Sequence, residues 1–165
     1  MPQIAIIGDT HIPSRAAAIP EWVESALREA DHVIHTGDFT SREAYERVES
    51  LASGNLTAVS GNMDPAELSL PAIDSVVLGG RTFVVFHGTG SPHGYEDRVR
   101  EAVRDETDDP DPIAVSGHTH EILDSTDGLR ILNPGSATGA PPATVVSMMW
   151  VTASDGDLSV EVRRG

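Results

Sequence analysis

The first half of the chain alternates short apolar runs with longer segments whose apolar residues recur every three or four positions. Short runs are typical of buried strands, and the longer periodic segments are typical of amphipathic helices. The pattern predicts a strand Gln3–Ile7, a helix Pro20–Ala30, a strand His32–Thr36, a helix from Thr40 to about Ala52, and a strand Leu56–Ser60. Strands that alternate with helices at this spacing favour a parallel sheet with right-handed crossovers.

Local signals place the starts of the two helices. Pro20 is expected at the first helical position, where the missing N–H of proline has no cost. Thr40 and Glu43 have the spacing of a capping box, so the second helix is expected to begin there.

The second half of the chain changes to antiparallel patterns. Two apolar runs flank Gly79-Gly80, which is typical of a tight hairpin, and the second run contains a strand Thr82–Phe86. A helix is expected from about Gly94 to Thr107, then a strand Ile113–Ser116 and further strands that turn at "STDG" and "SDG". Parallel units followed by antiparallel strands suggest two sheets packed face to face with helices outside, in one domain over residues 1–165.

The excess of acidic residues is more informative than the overall composition. The chain has 26 Asp and Glu against 11 Lys and Arg, a net charge of −15, and all 11 cations are arginine. An anionic surface without lysine suits high salt, where screening removes self-repulsion. We therefore interpret the charge as halophilic adaptation, and it disfavours binding to duplex nucleic acid or anionic membranes.

The sequence contains no recognisable targeting or membrane segment. The start "MPQIAIIGD" enters an apolar strand without a basic region or a cleavage site. The longest mostly apolar stretch, Ala143–Ala153, is shorter than the roughly 20 residues of a membrane span. There is no cysteine, so any metal must have oxygen and nitrogen ligands. A cytoplasmic location is expected.

Polar side chains follow five of the predicted strands, at the point where each strand ends. They are Asp9 and His11 in "GDTH", Asp38 in "TGD", Asn62 in "GNMD", His87 in "HG", and His118 and His120 in "GHTH". Ligand sites in α/β sheets lie at the carboxyl ends of strands, and a neighbouring glycine lets the backbone turn sharply there. Each motif alone has an ordinary explanation as a loop or a turn, but coincidence does not explain seven candidate ligands at five strand ends. Carboxylate, imidazole and amide ligands suit Mn²⁺, Fe or Zn²⁺ better than Ca²⁺ or Mg²⁺.

These motifs, in this order, resemble those of the calcineurin-like metallophosphoesterases. The short chain and its "NPGS" resemble the small single-domain phosphodiesterases of prokaryotes in that superfamily. The resemblance implies a four-layer α/β/β/α sandwich of two mixed sheets flanked by helices. Carried over by position, it implies two divalent ions that share one carboxylate, the first held by Asp9, His11, Asp38 and His120, the second by Asp38, Asn62, His87 and His118. We expect Mn²⁺ first, with Ni²⁺, Zn²⁺ or Fe as alternatives.

The resemblance also implies phosphodiester hydrolysis by a hydroxide held between the two ions, without a covalent enzyme intermediate. Relatives often carry a histidine after "GN" and read "HGH", but this chain has Met63 and Thr89 at those places. The candidate catalytic residues are therefore Asp38, Asn62 and, as a substitute general acid, His93, although a solvated loop histidine is the simpler interpretation of His93. Without an acid, a preference for good leaving groups such as aryl phosphodiesters is expected.

Two other functions remain open from the sequence. Phosphomonoesters or small nucleotides are alternative substrates, because the loops 15–19 and 88–94 set the size of the site. A protein-interaction scaffold is the second alternative, as in the retromer subunit that shares this small fold, but retention of all seven positions disfavours it.

Three further predictions concern residues outside the seven. His35 is expected to pack or hydrogen-bond near the site rather than to bind metal. Asn133 and Ser136 either shape the rim of the site or belong to a tight turn. The apolar stretch Thr144–Val151 is expected to be a central strand of the sandwich, with a homo-oligomer interface as the alternative.

Overall fold

The computed structural model describes residues 1–155 and 157–165, and this part of the chain forms two five-stranded mixed sheets, three α-helices and a short 3₁₀ helix, Ala66–Leu68. The strands are β1 (Gln3–Ile7), β2 (His32–His35), β3 (Leu56–Ala58), β4 (Ile73–Leu78), β5 (Arg81–Phe86), β6 (Ile113–Val115), β7 (Ile122–Ser125), β8 (Ile131–Pro134), β9 (Ser147–Ser154) and β10 (Asp157–Arg164). The helices are α1 (Glu21–Glu29), α2 (Arg42–Leu51) and α3 (Tyr95–Glu106). The glycine of the predicted "SDG" turn, Gly156, lies outside the described residues.

The strand order brings the ends of the parallel strands to one edge of the molecule. The first sheet has the order β10-β9-β1-β2-β3, in which β1, β2 and β3 are parallel and β9 and β10 antiparallel. The second sheet has the order β4-β5-β6-β8-β7. In it β5, β6 and β8 are parallel, and β4 and β7 pair antiparallel with β5 and β8, so this sheet is mixed, as predicted.

Three apolar layers hold the sheets and helices together. Successive strand residues point to opposite faces of a sheet, so Ile4 and Ile6 of β1 face the second sheet, whereas Ile7 faces the layer under α1 and α2. The third layer joins the second sheet to α3, for example through Val84 and Val99. The predicted four-layer α/β/β/α sandwich is confirmed.

Strand β9 runs through the interior of the first sheet. It pairs with β1 on one side and with β10 on the other. Met148 is buried against the helices and Met149 against the second sheet, so both faces of the strand are covered. The prediction of a central strand is confirmed, although the strand begins at Ser147 rather than Thr144.

The predicted starts of two helices are each wrong by one residue. Pro20 is not the first helical residue but the N-cap of α1, with extended backbone angles of φ −58 and ψ 146. Ser41 caps α2, because its Oγ accepts a hydrogen bond from the Ala44 N–H at 3.1 Å. Thr40 does not cap α2, because its backbone is left-handed with a φ of 73°, whereas an N-cap residue is extended, as Ser41 is with a φ of −149°.

Candidate metal centre

The loops that follow β1, β2, β3, β5 and β6 approach one another closely because glycines leave room for neighbouring side chains. A Cβ atom on Gly61 would lie 2.1 Å from Oδ1 of Asp38, and one on Gly117 would lie 2.4 Å from Oγ1 of Thr36. Neither glycine has a positive φ, so these positions need the missing side chain rather than a special backbone conformation.

The sharp turns occur at the candidate ligands themselves. Five of the seven predicted residues have a left-handed backbone, with φ of 48° at Asp9, 47° at His11, 64° at Asp38, 73° at His118 and 62° at His120. Such a conformation costs a non-glycine residue roughly 1–2 kcal/mol, and strain of this kind concentrates at functional sites. Gly37 and Gly88, beside Asp38 and His87, also have positive φ values of 106° and 86°, so glycines and ligands both contribute to the sharp turns.

Asp9, His11 and His120 form the first cluster, in which one ligand atom from each lies within 4.8 Å of the others. All three side chains are buried. The Nε2 atoms of His11 and His120 are 3.1 Å apart, and Oδ1 of Asp9 is 3.6 Å from Nε2 of His120. Two ring nitrogens at about 2.1 Å from one ion would lie about 3.0–3.4 Å apart, so the spacing fits a shared metal.

Asp38, His87 and His118 form the second cluster. Nε2 of His87 lies 3.2 Å from Oδ2 of Asp38, and Oδ1 of Asn62 lies 3.2 Å from Nδ1 of His118. The same Oδ2 of Asp38 is 3.4 Å from Nε2 of His11 in the first cluster. This carboxylate oxygen therefore lies between the two clusters.

Three of the four clustered histidines use one ring nitrogen to bind a backbone carbonyl oxygen. The contacts are His87 Nδ1 to Thr36 at 2.7 Å, His120 Nδ1 to Ala140 at 2.8 Å, and His118 Nε2 to Gly90 at 2.9 Å. A carbonyl oxygen only accepts, so each of these nitrogens carries the proton. The other ring nitrogen then offers a lone pair towards its cluster, as is usual for histidines that bind metals.

Three buried polar atoms of the clustered residues lack hydrogen-bond partners among the described residues: Nδ1 of His11, Oδ1 of Asp9 and Nε2 of His87. Oδ1 of Asp9 and Nε2 of His87 lie 3.9 Å apart. A buried polar group without a partner costs about 1–3 kcal/mol. Divalent cations beside these atoms would remove that cost, so the donor set fits metal ions.

Burial and neighbouring charge shift the pKa values of the clustered groups. Burial raises the pKa of Asp9 to about 7 and lowers the pKa of His11 to about 4. Burial also lowers the pKa of His118 and of His120, which keeps these imidazoles in the neutral form that binds metals. For Asp38, burial alone would raise the pKa, but the neighbouring His87, the Met63 N–H and His11 outweigh it and lower the value.

Asp64 is a supporting residue that the sequence did not single out. Its Oδ2 accepts hydrogen bonds from the backbone N–H groups of Asp38 and Gly61, and its Oδ1 accepts one from Thr40, all at 2.8 Å. The available signal was the last letter of "GNMD", since aspartates in turns commonly accept backbone N–H groups. Asp64 thus joins the loops after β2 and β3.

Residues behind the "GHTH" loop hold it in place. The Tyr95 hydroxyl donates to the carbonyl oxygen of Gly117 at 2.6 Å, and the Asn133 side-chain amide donates to the same oxygen at 3.1 Å. Asn133 also donates to Oγ1 of Thr119 at 3.0 Å. The hydroxyl of Ser136 donates to the carbonyl oxygen of Asp9 at 2.7 Å.

The "NPGS" segment therefore holds the ligand loops from the buried side of the candidate centre. Asn133 and Ser136 are fully buried, so neither can shape an exposed rim. Gly135 has a φ of 76°, as the tight-turn interpretation requires.

His35 packs beside the centre, as predicted. Its ring stacks on Phe39 with the centroids 3.6 Å apart, and its Nδ1 accepts a hydrogen bond from the Gly37 N–H at 3.0 Å. Complete burial lowers the pKa of His35 to about 3, so the ring is neutral.

His93 does not join either cluster. Its side chain is exposed on the loop before α3, and within the described residues its imidazole makes no hydrogen bond. Met63 is 48% exposed, and its backbone N–H donates to Oδ1 of Asp38 at 2.8 Å. No histidine occupies the two positions where relatives often carry one.

A model of the calcineurin-like phosphoesterase superfamily domain matches residues 3–156. The chain belongs to this superfamily. A probable metallophosphoesterase of Methanothermobacter thermautotrophicus is 33% identical over 168 residues, which cover 98% of this chain and 91% of that relative. The predicted membership of the calcineurin-like superfamily is thereby confirmed.

Solved structures of superfamily relatives share the fold over almost the whole chain. A single mutant of Vps29 from Entamoeba histolytica is 29% identical with a TM-score of 0.79, covering 99% of this chain and 98% of that one. Wild-type Vps29 from the same organism in complex with Zn²⁺ is 26% identical with a TM-score of 0.75, with the same coverage. In the part of this superfamily member that the structure describes, none of the helices has the length and apolar character needed to cross a bilayer.

Proposed function

We propose that the protein is a two-metal phosphoesterase and that it hydrolyses phosphodiesters. The position of Asp38 carries the proposal, because its Oδ2 lies 3.4 Å from Nε2 of His11 and 3.2 Å from Nε2 of His87. A carboxylate oxygen between two clusters of ligands suits a pair of ions about 3.5–4 Å apart, the arrangement that promotes displacement at phosphorus.

Each ion would have four protein ligands. The first would be held by Asp9, His11, Asp38 and His120, and the second by Asp38, Asn62, His87 and His118. When bound, the ions would lower the pKa of a water molecule and offset the charge that develops on the phosphoryl group. Mn²⁺ is our first choice, with Ni²⁺, Zn²⁺ or Fe as alternatives, since imidazole and carboxylate ligands suit this group of ions.

The surrounding residues would keep the ligands in position. Buried Thr36 and Ala140 fix the ring orientation of His87 and His120 through their carbonyl oxygens. The left-handed backbone at Asp38 is held by Asp64, which accepts its N–H. Little rearrangement would therefore be needed when metals and substrate bind.

None of the described residues at the centre is placed to protonate the leaving group. Met63 cannot donate a proton, and His93 is exposed without a contact that would orient it. We therefore propose a preference for good leaving groups such as aryl phosphodiesters. His93→Ala should leave the hydrolysis rate of a poor leaving group unchanged, whereas a fall of about 100-fold would identify His93 as the general acid.

The test is a comparison of two aryl substrates with the metal-loaded protein. A higher kcat/KM on bis-p-nitrophenyl phosphate than on p-nitrophenyl phosphate would support a phosphodiesterase. The reverse order would support the alternative of a phosphomonoesterase or nucleotide hydrolase.

A protein-interaction scaffold is the second candidate, and the similarity to Vps29 favours it. Met63, half-exposed beside Asp38, also offers an apolar contact where an acid would otherwise be expected. Two bound metals per chain with no turnover on either aryl substrate would support this candidate.

We also propose that residues 1–165 act as a single domain in the cytoplasm, on a small phosphoester. The net charge of −15 supports a small substrate over duplex nucleic acid, because a protein surface of that charge repels the phosphate backbone.

A further inference from the structure

Arg15 connects the two loops that carry the histidines of the first cluster. It lies in the turn directly after His11, whose carbonyl oxygen accepts the Arg15 N–H at 2.9 Å. Its guanidinium reaches across and donates from Nη1 to the carbonyl oxygen of Pro141 at 2.9 Å. Pro141 follows Ala140, which binds the ring of His120. The guanidinium therefore lies beside the cluster of Asp9, His11 and His120.

The charge of Arg15 is not paired with a carboxylate. Six of the 11 arginines form ion pairs within 4.0 Å in the described part of the chain, and Arg15 is not among them, although the chain has 26 acidic residues. Its side chain is exposed, and the contact with Pro141 occupies one of its five N–H groups. The other N–H groups are available to a ligand.

The centre beside Arg15 contains the carboxylates of Asp9 and Asp38. An unpaired cation beside a centre of anionic ligands, in a chain of net charge −15, is suited to attract an anion.

We propose that Arg15 binds an anionic phosphate oxygen of the substrate beside the first cluster. The proposal rests on the proposed function and adds a residue to its substrate site. A guanidinium presents its N–H groups in a planar fork that matches two oxygens of a phosphate. The contact with Pro141 would hold this fork at the edge of the centre.

A purely structural role predicts a different result, and metal affinity separates the two. If Arg15 only braces the loops of His11 and His120, its loss weakens metal binding, and phosphate binding falls as a consequence. If Arg15 binds phosphate, its loss weakens phosphate binding while the metal affinity stays the same.

The experiment measures the binding of Mn²⁺, and then of orthophosphate to the Mn²⁺-loaded protein, by calorimetry. Arg15→Gln should weaken phosphate binding about tenfold and change Mn²⁺ affinity less than about twofold, since charge-assisted hydrogen bonds are the strong ones. Arg15→Lys should lie between wild type and Arg15→Gln, because it keeps the charge and loses the fork. Arg42→Gln is the matched control, because exposed Arg42 also donates to one backbone carbonyl, that of Glu67.

Four results would overturn the proposal. They are a failure of wild type to bind phosphate, an unchanged phosphate affinity in Arg15→Gln, an equal loss of Mn²⁺ and phosphate affinity, and the same loss in Arg42→Gln. Because no turnover is measured, a protein that binds phosphate through Arg15 but hydrolyses no ester would refute only the proposed function.

Discussion

Asp38 is the residue on which the two clusters depend, and its position is set by backbone groups. Its Oδ1 accepts the Met63 N–H, its own N–H is held by Asp64, and Gly61 leaves the space that its carboxylate occupies. Small changes around Asp38 should therefore affect both candidate metal sites together.

Gly61→Ala tests whether Asp38 needs the space that the missing side chain of Gly61 leaves. The new Cβ would lie 2.1 Å from Oδ1 and 2.5 Å from the backbone nitrogen of Asp38, so the carboxylate must move. We expect Mn²⁺ affinity, measured by calorimetry, to fall at least about tenfold. Gly54→Ala is the control, because nothing lies within 4 Å of its Cβ; its φ of 81° predicts a stability loss of about 1 kcal/mol without an effect on metal. Wild-type Mn²⁺ affinity in Gly61→Ala would contradict the account.

Asp64→Asn tests whether Asp64 holds the loops after β2 and β3 together. The carboxylate accepts three backbone N–H groups, whereas the amide has one oxygen and must turn its NH₂ group towards some of them. We expect Mn²⁺ affinity to fall about 10–100-fold, as for other groups that orient ligands. Asp74→Asn provides the comparison, because Asp74 accepts one backbone N–H on the exposed strand β4. Equal Mn²⁺ affinities in the two variants would show that Asp64 does not position Asp38.

The candidate ligands could be predicted from the sequence, but the contacts through which other residues hold the ligand loops in place could not. Polar residues beside glycine at strand ends form a local pattern, and Asp9 and His120 are visible in it. Asp64 and Ser136 look like ordinary turn residues, because their partners are N–H and carbonyl groups from distant loops. Which backbone groups come within reach is decided only when both sheets have packed.

At the level of elements, helices α1 and α2 are joined by one bidentate ion pair. The guanidinium of Arg47 donates from Nε and Nη2 to the two carboxylate oxygens of Glu24, both at 2.8 Å. The hydrogen bond and charge of Arg47 lower the pKa of Glu24 despite the opposing effect of its burial. The pair therefore favours the folded state when Glu24 is ionised.

Glu24→Gln should lower the melting temperature by about 1–3 °C at pH 7, since Arg47 is largely exposed and the pair is screened. The pKa of Glu24 is lower in the folded state, so its contribution is present above pH 4.5 and is lost as the pH falls through the folded value. The difference between wild type and Glu24→Gln in thermal unfolding should therefore shrink at acidic pH. Glu21→Gln, on the exposed side of α1, should show little difference at either pH. A pH-independent difference for Glu24→Gln would contradict the assignment.

Periodicity predicts the existence of the elements well and their ends less well. Helix α2 begins one residue later than its capping pattern suggests, because Thr40 has a left-handed backbone and donates its N–H to Asp64 in the neighbouring loop. Thr36 and Ser116, the predicted last residues of two strands, lie instead in the loops that follow β2 and β6. Tertiary contacts decide these boundaries, and a local pattern does not contain them.

For the whole molecule, the charge of −15 predicts a dependence of stability on salt. Screening reduces the repulsion among the 26 acidic residues, and the Debye length falls to about 3 Å at 1 M salt. We expect the free energy of unfolding, measured with urea, to rise by more than about 1 kcal/mol between 0.1 and 1 M KCl. Sucrose at matched osmolality controls for exclusion of solute from the surface. Equal stability at both KCl concentrations would refute the halophilic interpretation.

The layered architecture could be predicted, whereas the pairing within the second sheet could not. Alternating strands and helices indicate parallel units, and the hairpin at Gly79-Gly80 indicates an antiparallel pair. The parallel pairing of β6 with β5 and β8 joins segments far apart in sequence. That order brings the ends of β5 and β6 to the candidate metal centre, where they meet the loops of the first sheet.

The most direct test combines metal content with turnover. Metal-stripped protein in high salt would be reloaded separately with Mn²⁺, Ni²⁺, Zn²⁺ and Mg²⁺. Bound metal and hydrolysis of bis-p-nitrophenyl phosphate would then be measured for wild type, Asp38→Asn and Asp74→Asn. We predict that wild type and Asp74→Asn bind two ions per chain and show metal-dependent turnover. In Asp38→Asn, turnover should fall more than about 100-fold, and the binding of both ions should weaken. Full turnover in Asp38→Asn, or one ion per fully active wild-type chain, would contradict the proposed two-metal centre.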